Sequence, residues 1–262
     1  AFSADDSFSD FSPKVALGWQ NTVNSRFYLS ISRGFKPGGF NHAVRSNLDA
    51  VSYDSETSTN AEIGWRFNAS DGNLQLLSAF YWIDAKDKQI FVGPLGAQLL
   101  RNVGDARSYG IEADISWQAT EQTNVVFGLN WGRSEFTDAT DSFTGESFDD
   151  NHLPYAPDAH LNLALSHQVQ QSFLPGQLSL YASARYVDEL FFNESNSLSQ
   201  GSYTLVDLAA ALATTNGIVV RLFVDNVTDE HYRTSSFLFG PGDVRSTIGE
   251  GRVTGVSASV TF

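Results

Sequence analysis

Large apolar side chains recur at every second position through most of this chain, a period that strands satisfy and helices do not. Val125, Phe127, Leu129 and Trp131 fall on one face of such a segment, with Gly128 and Asn130 on the other. Ile111, Ala113, Ile115 and Trp117 alternate with Glu112, Asp114 and Ser116, and Ala61, Ile63, Trp65 and Phe67 alternate with Glu62, Gly64 and Arg66. Eleven such segments are predicted, near 11–20, 26–34, 55–69, 73–91, 98–118, 122–136, 159–170, 177–190, 201–213, 217–227 and 250–262. No helical period of useful length competes with them. In Leu74–Ile83 both faces carry large apolar groups, and alternation assigns no sides there.

The connections sort into two kinds. Asn21–Ser25, Ser70–Asn73, Thr120–Glu121, Gln171–Gly176 and Thr214–Asn216 are short, and most are rich in turn formers. Phe35–Asp54, Thr137–Asp158 and Thr228–Gly249 are long, with shorter connections near 92–97 and 191–200. Short turns at one end and long loops at the other fit a bacterial outer-membrane barrel. A soluble sandwich has no reason to sort its loops this way.

The two faces point the same way. One carries mid-strand charges: Lys14, Glu62, Arg66, Glu112, Asp114, Arg185, Asp207 and Arg221. The other is nearly uncharged and bears Trp19, Phe27, Trp65, Phe67, Trp117 and Trp131, with Phe262 as the last residue. A soluble β protein turns its apolar face inward. A membrane barrel turns it to lipid, with aromatic girdles at the borders, and keeps a polar lumen. The expected fold is therefore all-β, an antiparallel transmembrane β-barrel. No apolar run approaches the roughly 18 residues of a membrane helix, but a barrel strand needs only about 10 alternating residues.

Composition narrows the function. The net charge of −14 argues against nucleic acid. Seven acidic residues and no Lys or Arg lie between Ser134 and Asp158, a solvated acidic loop. The absence of cysteine removes disulfides, thiol nucleophiles and Cys-based metal sites. His42, His152, His160, His167 and His231 lack metal-ligand spacing, and Asp138, Asp141, Asp149 and Asp150 lack that of a calcium loop. No metal site is expected. Nor is there a GxSxG, HExxH or phosphate-loop motif, so no catalytic residue is assigned and no enzyme is expected.

Strand parity adds an expectation. If Phe262 closes the last strand at the periplasmic side, the first segment also runs downward and lacks its upward partner. The chain is then expected to begin in an external loop, with further strands upstream. An open half barrel would leave unpaired edges in lipid.

Several stretches resemble TonB-dependent receptors: FSPKVALGW followed by YLSISRGFKPGGFN, then YDSETSTNAEIGWRF, and FVDNVTDEHYRT before the last strand. FVGPLGAQLLRNVGDARSYGIEADISW, RSEFTD, HLPYAPDAHLNL and SQGSYTLVDL continue the resemblance in order, toward ferric-siderophore receptors of the yersiniabactin/pesticin receptor type. The resemblance covers nearly the whole chain. It implies a barrel of about 22 strands closed by an N-terminal plug. Residues 1–262 would supply the C-terminal half, about 11 strands, without the plug, the energy-coupling box or the N-terminal strands. It further implies the Gram-negative outer membrane, with lipid, lipopolysaccharide, a ferric siderophore and the inner-membrane TonB energy complex (through the plug) as partners. The closing GVSASVTF resembles the signal read by the barrel-assembly machinery. Iron would enter only as chelated substrate, and no cofactor is bound by the chain itself.

Within this resemblance, Arg33, Phe35, Lys36, Phe40 and Arg101 are the candidates for capturing a bulky, often aromatic and anionic chelate. Asn226, Asp229 and Tyr232 are read as a structural loop entry. Two alternatives stay open: the same receptor class with another cargo (glycan, cobalamin or phenolic), and a passive porin.

Overall fold

A computed structural model of the chain describes residues 5–41, 52–92, 98–141, 144–240 and 242–260. Eleven strands form one antiparallel sheet in which every neighbour in space is a neighbour along the chain. They are β1 (Lys14–Thr22), β2 (Ser25–Lys36), β3 (Glu56–Asn68), β4 (Leu74–Lys86), β5 (Gly104–Gln118), β6 (Thr123–Ala139), β7 (Ala159–Val169), β8 (Gly176–Val187), β9 (Tyr203–Thr214), β10 (Ile218–Asp225) and β11 (Val253–Val260). No described residue is helical. The sheet is not closed: β1 and β11 pair on one side only. Phe262, expected to end the last strand, lies outside the described residues.

All short turns lie at one end of this meander and all long connections at the other, as the spacing of turn formers predicts. The long ends carry further structure, and the segments marked at 73–91 and 98–118 are each broken near the outer end. Gln89–Val92 pairs with Leu99–Asn102 as a separate hairpin beyond β4 and β5. Arg233–Gly240 pairs with Asp243–Ile248 within the stretch expected to be loop. Leu190–Phe191 pairs with Ser199–Gln200, and Gly39–Phe40 with Ser52–Tyr53. The strands also run further than expected, to Lys36 in β2 and Ala139 in β6. Gly104 marks the break between hairpin and β5. Its φ is +133°, and a Cβ there would lie 1.8 Å from the Asp138 carbonyl oxygen, so only glycine fits.

Register resolves the faces. Paired positions share a side, and Leu29↔Ile63↔Phe80↔Ile111 runs across four strands on one of them. The same face holds Leu163, Leu165, Leu208, Leu222 and Val256, all more than two-fifths exposed. A soluble protein does not present so continuous an apolar surface. The ambiguous fourth strand is settled: Leu76, Phe80 and Trp82 pair with Phe67, Ile63 and Ala61 on the apolar side, while Leu77, Ala79 and Tyr81 take the other. The opposite face collects all eight mid-strand charges; Tyr28 Oη donates to Glu62 there at 2.5 Å, and Asn130 Nδ2 to Glu112 at 3.0 Å.

Trp19, Phe27, Trp65, Phe67 and Trp117 lie on the apolar face near the short turns. Trp19, Phe27, Trp65 and Phe67 form a row with successive ring centroids 5.8–6.0 Å apart. Trp131 marks the other border with Trp82 and Tyr109, whose rings stack at 5.1 Å. Trp82 and Trp117 bracket the apolar stretch; the eight-residue offset from Tyr109 to Trp117 on β5 spans about 26 Å along the strand at ~3.3 Å per residue. With strand tilt, that fits an apolar band about 25 Å tall.

Candidate functional site

The long-connection end folds inward over the polar face. Ala106 and Phe136 share the parity of Ser108 and Ser134, hence the polar side. They form a small core with Val92, Val103, Ala139 and Phe148, in which Phe136 is fully buried. This core clamps the acidic segment after β6. Phe148 N–H donates to the Ala139 carbonyl at 2.9 Å and Asp150 N–H to that of Phe136 at 3.0 Å. Asp149 contributes a cap: its Oδ1 accepts from Ala139 N–H at 2.8 Å. Part of the acidic run is thus structural.

A second knot holds the Gln89–Val92 hairpin. Glu56 accepts from Lys88 Nζ and from Gln89 N–H, both at 2.9 Å. Gln89 Nε2 donates to the carbonyls of Pro37 and Asp54 at 3.0 and 2.8 Å. Asn102 is bound to Asp54 in both directions, accepting from its N–H and donating to its carbonyl. One loop is thereby tied to the next.

The turn after Leu190–Phe191 is built on two asparagines. Asn193 Oδ1 accepts from Leu198 N–H at 3.0 Å, and its Nδ2 donates to Ser195 and Ser197, each at 2.8 Å. Asn196, at φ +52°, exchanges two bonds with the His152 backbone. Asn151 Nδ2 donates to the Glu194 carbonyl at 2.9 Å.

These three pieces and the Arg233–Ile248 hairpin enclose a cavity of about 590 Å³. Phe91, Phe148, Phe192, Phe237 and Phe239 give it aromatic walls. Its charged groups are Asp141, Glu146 and Glu194; no described lining residue is Lys, Arg or His. Burial pushes the Glu194 carboxyl above its ordinary value, and the nearby Asp141 adds to that rise.

The structure does not gather the five capture candidates. Arg33 and Phe35 lie on β2 with the parity of Ile31, the apolar face; Arg33 pairs with Asp10 at 3.1 Å. That arginine holds the Asp10 carboxyl below its usual value. Lys36 lies 3.9 Å from Glu56 within the knot. Phe40 pairs with Ser52, and Arg101 sits opposite Ile90 in the hairpin. None of the five lines the cavity. Its Phe and carboxylate residues escape a sequence reading because they come from separate loops without a common motif. The FVGP punctuation of 91–94 and the FLFG run of 237–240 are the only local signals, and both are weak.

The loop-entry reading of Asn226, Asp229 and Tyr232 matches the geometry. Asn226 is buried at φ +49° and donates to the Glu230 and Glu250 carbonyls, while its own N–H donates to Asp207. Asp229 accepts from Arg252 N–H, which lowers its carboxyl pKa. Tyr232 stacks on Tyr203 at 4.5 Å.

The family model described as "TonB dependent receptor-like, beta-barrel" matches residues 1–227. The chain belongs to the TonB-dependent receptor β-barrel family. These barrels sit in the Gram-negative outer membrane, which places the apolar face in lipid and the polar face toward the lumen. Among curated relatives, the pesticin receptor of Yersinia enterocolitica (serotype O:8 / biotype 1B) is 29% identical over 95% of this chain. The probable TonB-dependent siderophore receptor PiuA of Acinetobacter baumannii is 23% identical over 90%. The chain spans 36% and 32% of their lengths. The ferric yersiniabactin uptake receptor FyuA from Yersinia pestis shares the fold with a TM-score of 0.82 at 24% identity, covering 95% of this chain and 37% of that one. The relatives found are transport receptors.

Proposed function

We propose that this chain is the C-terminal half of the barrel of an outer-membrane TonB-dependent receptor that takes up a ferric siderophore. The observation that carries this reading is the external cavity: aromatic walls inside the mouth of a lipid-embedded sheet, on a chain whose relatives include siderophore receptors. Loops at the rim capture the chelate from outside. The lumen face, with its charges and hydroxyls, meets a plug supplied by the rest of the protein, and the TonB complex drives passage through that plug.

In this reading the chain performs no catalysis and holds no cofactor, because the iron arrives fully chelated. Folding proceeds through the barrel-assembly machinery, and lipopolysaccharide surrounds the outer rim. Arg33, Lys36, Phe40 and Arg101 act at that rim, holding the loops that shape the mouth; Phe35 packs beside them.

Deleting the gene and supplying single iron sources tests the proposal. Loss of growth on one ferric siderophore under iron limitation, restored by the full-length gene, is expected. Unchanged growth on every ferric siderophore, with loss of growth on a glycan, cobalamin or phenolic instead, contradicts the cargo and keeps the receptor class. Free diffusion of small solutes through the purified protein supports a porin.

A further inference from the structure

Resting on the siderophore reading, we propose that the external cavity selects by charge: it binds an aromatic chelate that is neutral or cationic and disfavours anionic ones. Three observations agree on the sign. The cavity's charged groups are carboxylates, from Asp141 and Glu146 on one wall and Glu194 on another. The lining Phe rings carry a quadrupole whose negative face attracts positive charge, as Arg245 over Phe239 illustrates. Arg245, cross-strand from the lining Phe237, is a cation beside this wall whose charge is already paired: it gives two of its donors to Asp243 at 3.0–3.3 Å and lies over the Phe239 ring at 4.9 Å.

Desolvation sharpens the effect. Glu194 is held among Phe192, Asn193 and the loop around Asp141, and its carboxyl already resists ionisation there. An anion seated beside it raises that cost, whereas a cation or the positive edge of a neutral complex lowers it. At 590 Å³ the cavity suits a drug-sized chelate. Anionic capture was the expectation drawn from Arg33, Lys36 and Arg101, and none of these lines the cavity.

The test uses the full-length receptor in detergent and two ferric probes of like aromatic architecture and unlike charge: the neutral tris-hydroxypyridinonate complex and the trianionic tris-catecholate complex. Quenching of intrinsic tryptophan fluorescence reads binding. The neutral complex is expected to bind at least about tenfold tighter. In the triple variant D141N/E146Q/E194Q that gap closes, with heat-modifiable gel migration retained as proof of a folded barrel. Should the triple variant misfold, Glu146→Gln alone, on an exposed turn, narrows the gap about twofold, and added salt narrows it in the unmodified receptor. Phe237→Ala and Phe239→Ala weaken both probes alike.

Equal or tighter binding of the trianionic complex overturns the charge selection and leaves the siderophore reading intact. If neither ferric complex binds but tetraphenylphosphonium does, and E194Q weakens it, the charge selection stands and the siderophore reading fails. Binding of none of the three overturns both.

Discussion

Replacing Phe136 with Ala tests how the mouth of the barrel is held. Phe136 is fully buried, with its ring 6.0 Å from that of Phe148. A buried Phe removes about 150–250 Å² from water, worth about 4–6 kcal/mol at ~25 cal/mol/Å² as an upper bound. Measured Phe→Ala costs of about 3–5 kcal/mol overlap that range. The cost falls on the core beneath the acidic loop and not on the strand ladder, because Phe136 contacts loop residues and lies beyond the membrane band. A local cost of about 3 kcal/mol raises the opening constant roughly 150-fold. Hydrogen exchange of the full-length receptor reads this directly. The amides of Phe136, Phe148 and Asp150 are expected to exchange about 100-fold faster or more, while those of Glu56–Asn68 in β3 keep their protection. Less than fivefold acceleration at the loop amides, or equal acceleration in β3, refutes the reasoning.

Other expectations follow from single contacts. Asn226→Ala removes side-chain donors to two carbonyls and places a Cβ-restricted residue at φ +49°, so it destabilises the β10–β11 connection by about 2–4 kcal/mol, seen as a lower thermal transition. Ile63→Arg, mid-strand on the apolar face, costs about 2–4 kcal/mol of barrel stability in lipid; Ala164→Lys, on the polar face, costs much less, and equal costs contradict the assigned faces. Gly64→Val drives a methyl into the Tyr28 ring, where a Cβ already comes within 2.2 Å, and breaks the Tyr28–Glu62 bond; Tyr28→Ala is expected to rescue assembly. Glu194 has a raised pKa in the folded state, so its contribution to stability is full below the ordinary Glu value and is lost as pH rises through the raised one. The Phe192–Leu198 turn is therefore expected to resist proteolysis better at acid pH, and E194Q to abolish that dependence.

Alternation made the sheet legible because lipid and lumen impose opposite demands on successive residues. Each of the eleven strands overlaps a segment that period two marks, though several run a few residues past it. It failed at Leu74–Ile83, where Leu77 and Tyr81 face a lumen that tolerates apolar groups; only pairing with β3 and β5 settled the sides. The hairpin Arg233–Ile248 was hidden because neither of its faces is buried in a uniform medium. The cavity was hidden for a related reason: Phe91, Phe148, Phe192 and Phe237 meet only after separate loops fold inward, and no local pattern links them. Arg33 and Phe35 drew notice as part of a Gly/Pro-flanked motif. Continuing the alternation of β2 past Ser32 already sends both to the side of Ile31.

The face assignment along β3 bears on everything above. The chain carries no cysteine, so single cysteines introduced at positions 61 to 66 of the full-length receptor give spin labels at known sites in this segment. Collision with oxygen, concentrated in lipid, is expected to peak at Ala61, Ile63 and Trp65 and to fall at Glu62, Gly64 and Arg66. A flat profile, or one peaking at Glu62, Gly64 and Arg66, contradicts the account.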